Sequence, residues 1–119
     1  MDYPMQPSLR ANPGKTLALT LDNVYQTLNN DLPVLLDFWA PWCQPCRALE
    51  PTIEKLNVQY ADYLTLAKVN VDLQNELSKR FNVRSIPTLI LVKNGEELLR
   101  LGADEYTYEQ LIKELEPHL

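Results

Sequence analysis

A chain of 119 residues is long enough for one hydrophobic core and too short for two. Its 45% apolar and 23% charged residues are those of a folded globular protein and exclude an intrinsically disordered one. The net charge of −5, with no clustered Lys or Arg, argues against a nucleic-acid partner. The longest apolar run, Val34 to Ala40, is interrupted by Asp37 and is too short to span a bilayer, so no membrane association is expected.

Residues 1–14 (MDYPMQPSLRANPG) carry an early Asp, three prolines and no continuous apolar stretch. They read as a flexible tail and not as a secretory signal, so a cytoplasmic location is expected and a single domain is placed at 15–119. Thr16 to Leu19 predicts a short first strand. Thr20 or Asp22 is suited to cap a helix carrying Leu21, Val24, Tyr25 and Leu28, ending near Asn29-Asn30. Pro33 to Ala40 (PVLLDFWA) is almost continuously apolar, the pattern of a central strand covered on both faces. A long helix is predicted from Cys43 to about Tyr60, with Leu49, Ile53, Leu56 and Tyr60 spaced four, three and four apart.

Thr65 to Val71 (TLAKVNV) predicts the next strand. Asp72 or Asn75 then starts a short helix with Leu73, Leu77 and Phe81 on one face. Thr88 to Lys93 and Glu97 to Leu101 are strands joined by Asn94-Gly95, two residues that tolerate positive φ and so favour a tight hairpin. The last helix opens with Thr107-x-x-Gln110, a capping-box pattern, and buries Tyr108, Leu111, Ile112 and Leu115. The order βαβαβαββα predicts an α/β protein: a three-layer α/β/α sandwich around a central mixed β-sheet.

Chemistry concentrates in Trp42-Cys43-Gln44-Pro45-Cys46-Arg47, directly after a strand and at the opening of a helix. A C-x-x-C pair in that context reads as a redox motif, because N–H groups of a first helical turn favour a thiolate. Cys43 is expected at the helix start, exposed and activated. Cys46 is expected one turn later, more buried, able to bond to Cys43. Pro45 fits the first turn, where its missing N–H costs nothing. Cys43 thiolate would attack a substrate disulfide, and Cys46 would then attack Cys43 and release the reduced substrate. The alternatives are a structural thiol pair or half of a zinc site, for which the remaining candidates are His118 and scattered carboxylates. No metal site is expected.

Asp37 lies in the middle of an apolar strand, where an ionised carboxylate is costly and its pKa tends upward. It is either paired for structural reasons or a proton acceptor for Cys46, reached through a water. Pro87 in Ile86-Pro87-Thr88 precedes a strand, the setting of a rigid turn or a cis bond.

The run Asp37-Phe38-Trp39-Ala40-Pro41-Trp42-Cys43-Gln44-Pro45-Cys46-Arg47 resembles the active-site segment of the thioredoxin family. Ser85-Ile86-Pro87-Thr88, Lys93-Asn94-Gly95 and Leu101-Gly102-Ala103 follow in that family's order, so the resemblance covers about residues 15 to 119. It implies the thioredoxin fold, a proton-transfer role for Asp37, and Lys68 as the lysine beside that carboxylate. It also implies that Pro87 is a cis-proline facing the active-site sulfur, with Ile86 offering its backbone to an extended substrate. Trp42, Ile86, Leu101, Gly102 and Ala103 match the family's apolar docking surface, and Gln44 and Pro45 between the cysteines complete the expected substrate-binding set. Gln44 stands where the family usually carries Gly and is expected to alter the redox poise.

The resemblance thus implies a protein-disulfide reductase, a thiol–disulfide oxidoreductase with no bound cofactor beyond its Cys43–Cys46 disulfide. Its expected partners are disulfide-containing substrate proteins and an NADPH- or ferredoxin-linked thioredoxin reductase, and a monomer is expected. A disulfide oxidase or isomerase, and a binding or holdase subunit without turnover, stand as alternatives.

Overall fold

A computed structural model of the chain describes residues 16–102 and 106–119; the predicted tail over 1–14 lies outside the described residues, as does Ala103. Among the described residues the strands are β1 (Leu17–Ala18), β2 (Val34–Trp39), β3 (Thr65–Asn70), β4 (Thr88–Lys93) and β5 (Glu96–Leu101). The helices are α1 (Val24–Leu28), α2 (Gln44–Gln59), α3 (Asn75–Arg80) and α4 (Tyr108–Leu115), with a 3-10 turn at Glu116–His118. The sheet order is β1-β3-β2-β4-β5. β3 pairs in parallel with both β1 and β2, whereas β4 pairs antiparallel with β2 and β5, so the sheet is mixed as predicted.

Strand alternation sorts the core into two layers. Leu35, Leu66, Leu89, Leu91 and Leu101 face Leu49, Ile53 and Leu56 of α2 and Leu111 and Leu115 of α4. On the other side, Val34, Leu36, Phe38, Ala67, Val69, Ile90 and Val92 pack with Leu77 of α3 and with Val24 and Leu28 of α1. Both faces of β2 are therefore covered, which is why its sequence is almost unbroken in apolar residues. The same alternation puts Asp37 and Lys68 on the α2 side, two residues along from Leu35 and Leu66.

Two predicted faces are corrected by local hydrogen bonding. Asn23 Oδ1 accepts the Thr20 N–H at 2.8 Å, so Thr20–Asn23 form a turn and α1 begins only at Val24. Leu21 is consequently exposed, Tyr25 lies on the exposed face of α1, and Val24 and Leu28 are the apolar residues of α1 that pack into the core beside buried Thr27. Asn70 Oδ1 likewise accepts the N–H groups of Asp72 (2.9 Å) and Leu73 (3.3 Å), delaying α3 to Asn75. Leu73 is left 74% exposed, outside the face formed by Leu77 and Phe81.

The hairpin and the last helix follow their predicted turn chemistry. Asn94 (φ 53°) and Gly95 (φ 80°) both take the positive φ that a two-residue type I′ turn requires. β5 carries a bulge opposite Leu91 and Val92, which pair with Leu99 and Glu97. At α4, Thr107 Oγ1 accepts the Gln110 N–H at 3.1 Å while Gln110 Oε1 accepts the Thr107 N–H at 2.9 Å. Thr107→Ala removes half of this box and should lower stability by about 1 kcal/mol in urea denaturation, with the slope unchanged. An unchanged midpoint would mean that Leu111 and Leu115 hold α4 without the cap.

Candidate active site

The chain leaves β2 at Trp39 and enters α2 through a turn closed by the Cys43 N–H on the Ala40 carbonyl (3.1 Å). Cys43 is the N-cap of α2, with extended backbone (φ −88°, ψ 107°), and its Sγ accepts the Cys46 N–H at 3.3 Å. Pro45 occupies the first turn, where no N–H is needed. The sulfur therefore meets the positive end of a 16-residue helix, the environment that favours a thiolate once the pair is reduced. Cys43 and Cys46 are joined in a disulfide with Cα atoms 5.3 Å apart, so the molecule is in its oxidised form.

The exposure expected for Cys43 is corrected in this form. Cys43 and Cys46 are each 5% exposed, with Trp39, Val71 and Ile86 packed against them. The cause is local: Sγ of the N-cap turns back onto the first helical turn, where it meets both the Cys46 N–H and the partner sulfur. Gln44 and Pro45 stay exposed over the pair.

Asp37 is 4% exposed, and its Oδ1 has no hydrogen-bond partner. Burial pushes its pKa up to about 6, against the pull of Lys68 and with a smaller push from Glu50. Lys68 sits opposite Asp37 in the β2–β3 register, yet its ammonium donates to Glu50 Oε2 at 2.6 Å and lies 4.1 Å from the centre of the Trp39 ring. The expected lysine is thus near the carboxylate, but its ion pair goes elsewhere.

Across from the disulfide, the Ile86–Pro87 bond is cis. Thr88 Oγ1 donates to the Ser85 carbonyl at 2.6 Å and ties this loop to the start of β4. Pro87 is buried and Ile86 is half-buried against the cysteine pair.

Residues 15–116 match the family model described as Thioredoxin. The chain belongs to the thioredoxin family. It is 46% identical over 86 residues to the thioredoxin of Alicyclobacillus acidocaldarius, spanning 72% of this chain and 82% of that protein. Identity to the thioredoxin of Haemophilus influenzae is 48% over 69 residues, 58% of this chain and 64% of that protein. Thioredoxin 1 of Nostoc sp. is 40% identical over 95 residues, 79% of this chain and 87% of that protein. With its C-x-x-C disulfide at the strand-to-helix junction, the chain is a thiol–disulfide oxidoreductase, a protein-disulfide reductase of the thioredoxin type.

Not every thioredoxin-like surface residue predicted from the motifs lies on the surface. Trp42 is 68% exposed and Gly102 is exposed, but Leu101 is only 8% exposed. Leu101 pairs with Leu89 and points inward with it, so it anchors β5 in the α2 layer and is withdrawn from the docking set. Two further residues, outside the motifs, take part in the site. Asp72 Oδ2 accepts the Trp42 indole N–H at 2.8 Å and fixes the orientation of that ring. Glu50 accepts Lys68; its one sequence signal is its position four residues after Cys46, on the same helical face. Among the described residues no His, Cys, Asp and Glu side chains group to hold a metal ion, and no helix is long and apolar enough to cross a membrane.

Proposed function

We propose that the protein reduces disulfides of other proteins in two exchange steps, with Cys43 attacking, Cys46 resolving and Asp37 accepting the proton of the second step. In the first, Cys43 thiolate bonds to one substrate sulfur and the other leaves as a thiolate that takes up a proton. In the second, Cys46 gives its proton to Asp37 through a bridging water and bonds to Cys43 Sγ. The remaining substrate sulfur leaves and is protonated. The substrate gains two electrons and two protons, and the Cys43–Cys46 disulfide forms.

The observation that carries this reading is Cys43 Sγ on the Cys46 N–H at the N-terminus of α2, on the sheet face where Asp37 is buried with its Oδ1 free of hydrogen bonds. Exposed Trp42, Gln44, Pro45 and Gly102, with half-buried Ile86, frame the pair as a surface for an extended substrate segment, held in part by the Ile86 backbone. Family membership supports recharging by a thioredoxin reductase that draws on NADPH or ferredoxin, in the cytoplasm, with the protein acting as a monomer.

The test is the reduction potential of the pair, titrated in defined thiol/disulfide buffers and followed by Trp fluorescence. A reversible two-electron transition near about −270 mV supports the reductase direction. A value near about −120 mV overturns it in favour of an oxidase. Replacing Gln44 by Gly then measures what this residue contributes, since about 30 mV corresponds to roughly 1.4 kcal/mol.

A further inference from the structure

Three charged groups from three elements meet beneath the first two turns of α2: Asp37 of β2, Lys68 of β3 and Glu50 of α2 itself. From β4 the residue opposite Asp37 is Leu89, which is apolar, and α2 also brings the cysteine pair. Register places Lys68 directly beside Asp37. A lysine so placed would ordinarily pair with the buried carboxylate and hold it ionised. Here the ammonium is engaged twice, by the Glu50 carboxylate at 2.6 Å and by the face of Trp39 at 4.1 Å, while Asp37 Oδ1 stays without a partner.

We propose that Glu50 is a positioning residue that draws the Lys68 ammonium away from Asp37 and so leaves the Asp37 carboxylate able to take up the proton of Cys46. The inference rests on the reading of Asp37 as proton acceptor and names what keeps it in that state. A carboxylate locked in an ion pair is a weak base, and a general base works best when its pKa lies near the operating pH. Glu50 acts in the same sense in two ways: it engages the cation, and its own negative charge disfavours ionisation of Asp37. Lys68 is mostly covered, with its side chain 15% exposed, whereas the Glu50 side chain is 41% exposed. The diverted charge therefore ends at the protein surface, where water stabilises it.

The test follows the Asp37 carboxyl by NMR titration in the oxidised protein, where no exchange takes place. Glu50→Gln should move that titration down by about half a unit to one unit as Lys68 turns to Asp37. Glu50→Asp should restore most of the wild-type value. In a Lys68→Met background, Glu50→Gln should shift Asp37 by much less. An unmoved or upward titration in Glu50→Gln overturns the proposal. So does an equal shift with and without Lys68, because Glu50 would then act by its charge alone. The pH midpoint of the resolving step should fall together with the Asp37 titration. If the titration moves and the rate midpoint does not, Glu50 holds Lys68 as described and it is the role of Asp37 that fails.

Discussion

Cys46→Ser should convert the protein from a turnover catalyst into a covalent trap. Cys43 remains at the N-terminus of α2 and can still open a substrate disulfide. Without Cys46 nothing in the chain resolves the mixed disulfide, since Cys43 and Cys46 are its only cysteines. Resolution by the neighbouring sulfur gains the advantage of a positioned intramolecular reaction, and free thiols in solution cannot match it. Turnover should fall by at least about a thousandfold, with the protein accumulating as a one-to-one adduct visible by intact mass under non-reducing conditions. Cys43→Ser should lose both turnover and adduct. The outcome that would sink this assignment is adduct formation by Cys43→Ser and none by Cys46→Ser, which would exchange the two roles.

Asp37→Asn should make the protein more stable and slower. Asp37 has a folded pKa of about 6, whereas an unfolded carboxyl titrates near about 3.9. Because the folded value is the higher one, the stability linked to this group is fully present below about pH 4 and is lost as pH rises through about 6. About two pKa units correspond to roughly 3 kcal/mol, an upper figure because the buried Asn amide would itself need partners. Denaturation of the oxidised form should show Asp37→Asn gaining up to about 3 kcal/mol at pH 8 and little at pH 4. The resolving step should slow by about a hundredfold near neutral pH, the scale of a lost general base. Equal stability at both pH values would contradict the burial argument. Equal exchange rates across pH would remove Asp37 from the mechanism while leaving the burial argument intact.

The two effects belong to one cause. A buried carboxylate with an unpartnered oxygen is a cost to the fold, and in the proposed function the same group is the proton acceptor of the site. The sequence showed the cost at once, as a single Asp within PVLLDFWA. It did not show where the neighbouring cation goes, because the Lys68 ammonium is bonded to Glu50 on another element.

Failures of the sequence reading share a physical form. Leu21 and Tyr25 had helical spacing, and Leu73 was in phase with Leu77 and Phe81. For Leu21 and Leu73 an Asn side chain accepts backbone N–H groups and the helix starts past the apolar residue, whereas Tyr25 lies within α1 on its exposed face. Leu101 was placed on the docking surface by its neighbours in the motif, while the pleat turned it into the core beside Leu89.

What the sequence by itself determined are features decided within a few residues. These are the element order, the hairpin at Asn94-Gly95, the capping box at Thr107, and a C-x-x-C pair opening a helix after a buried strand. Periodicity, positive φ and N-cap chemistry are local, so they can be read along one stretch of chain. Tertiary structure alone decided the equal covering of Cys43 and Cys46, the Trp42–Asp72 bond across 30 residues and the Lys68–Glu50 pair across 18. Those depend on which side chains the sheet register and the packing of α2 bring within hydrogen-bond reach, and an ammonium between two carboxylates takes the one whose geometry and hydration cost least.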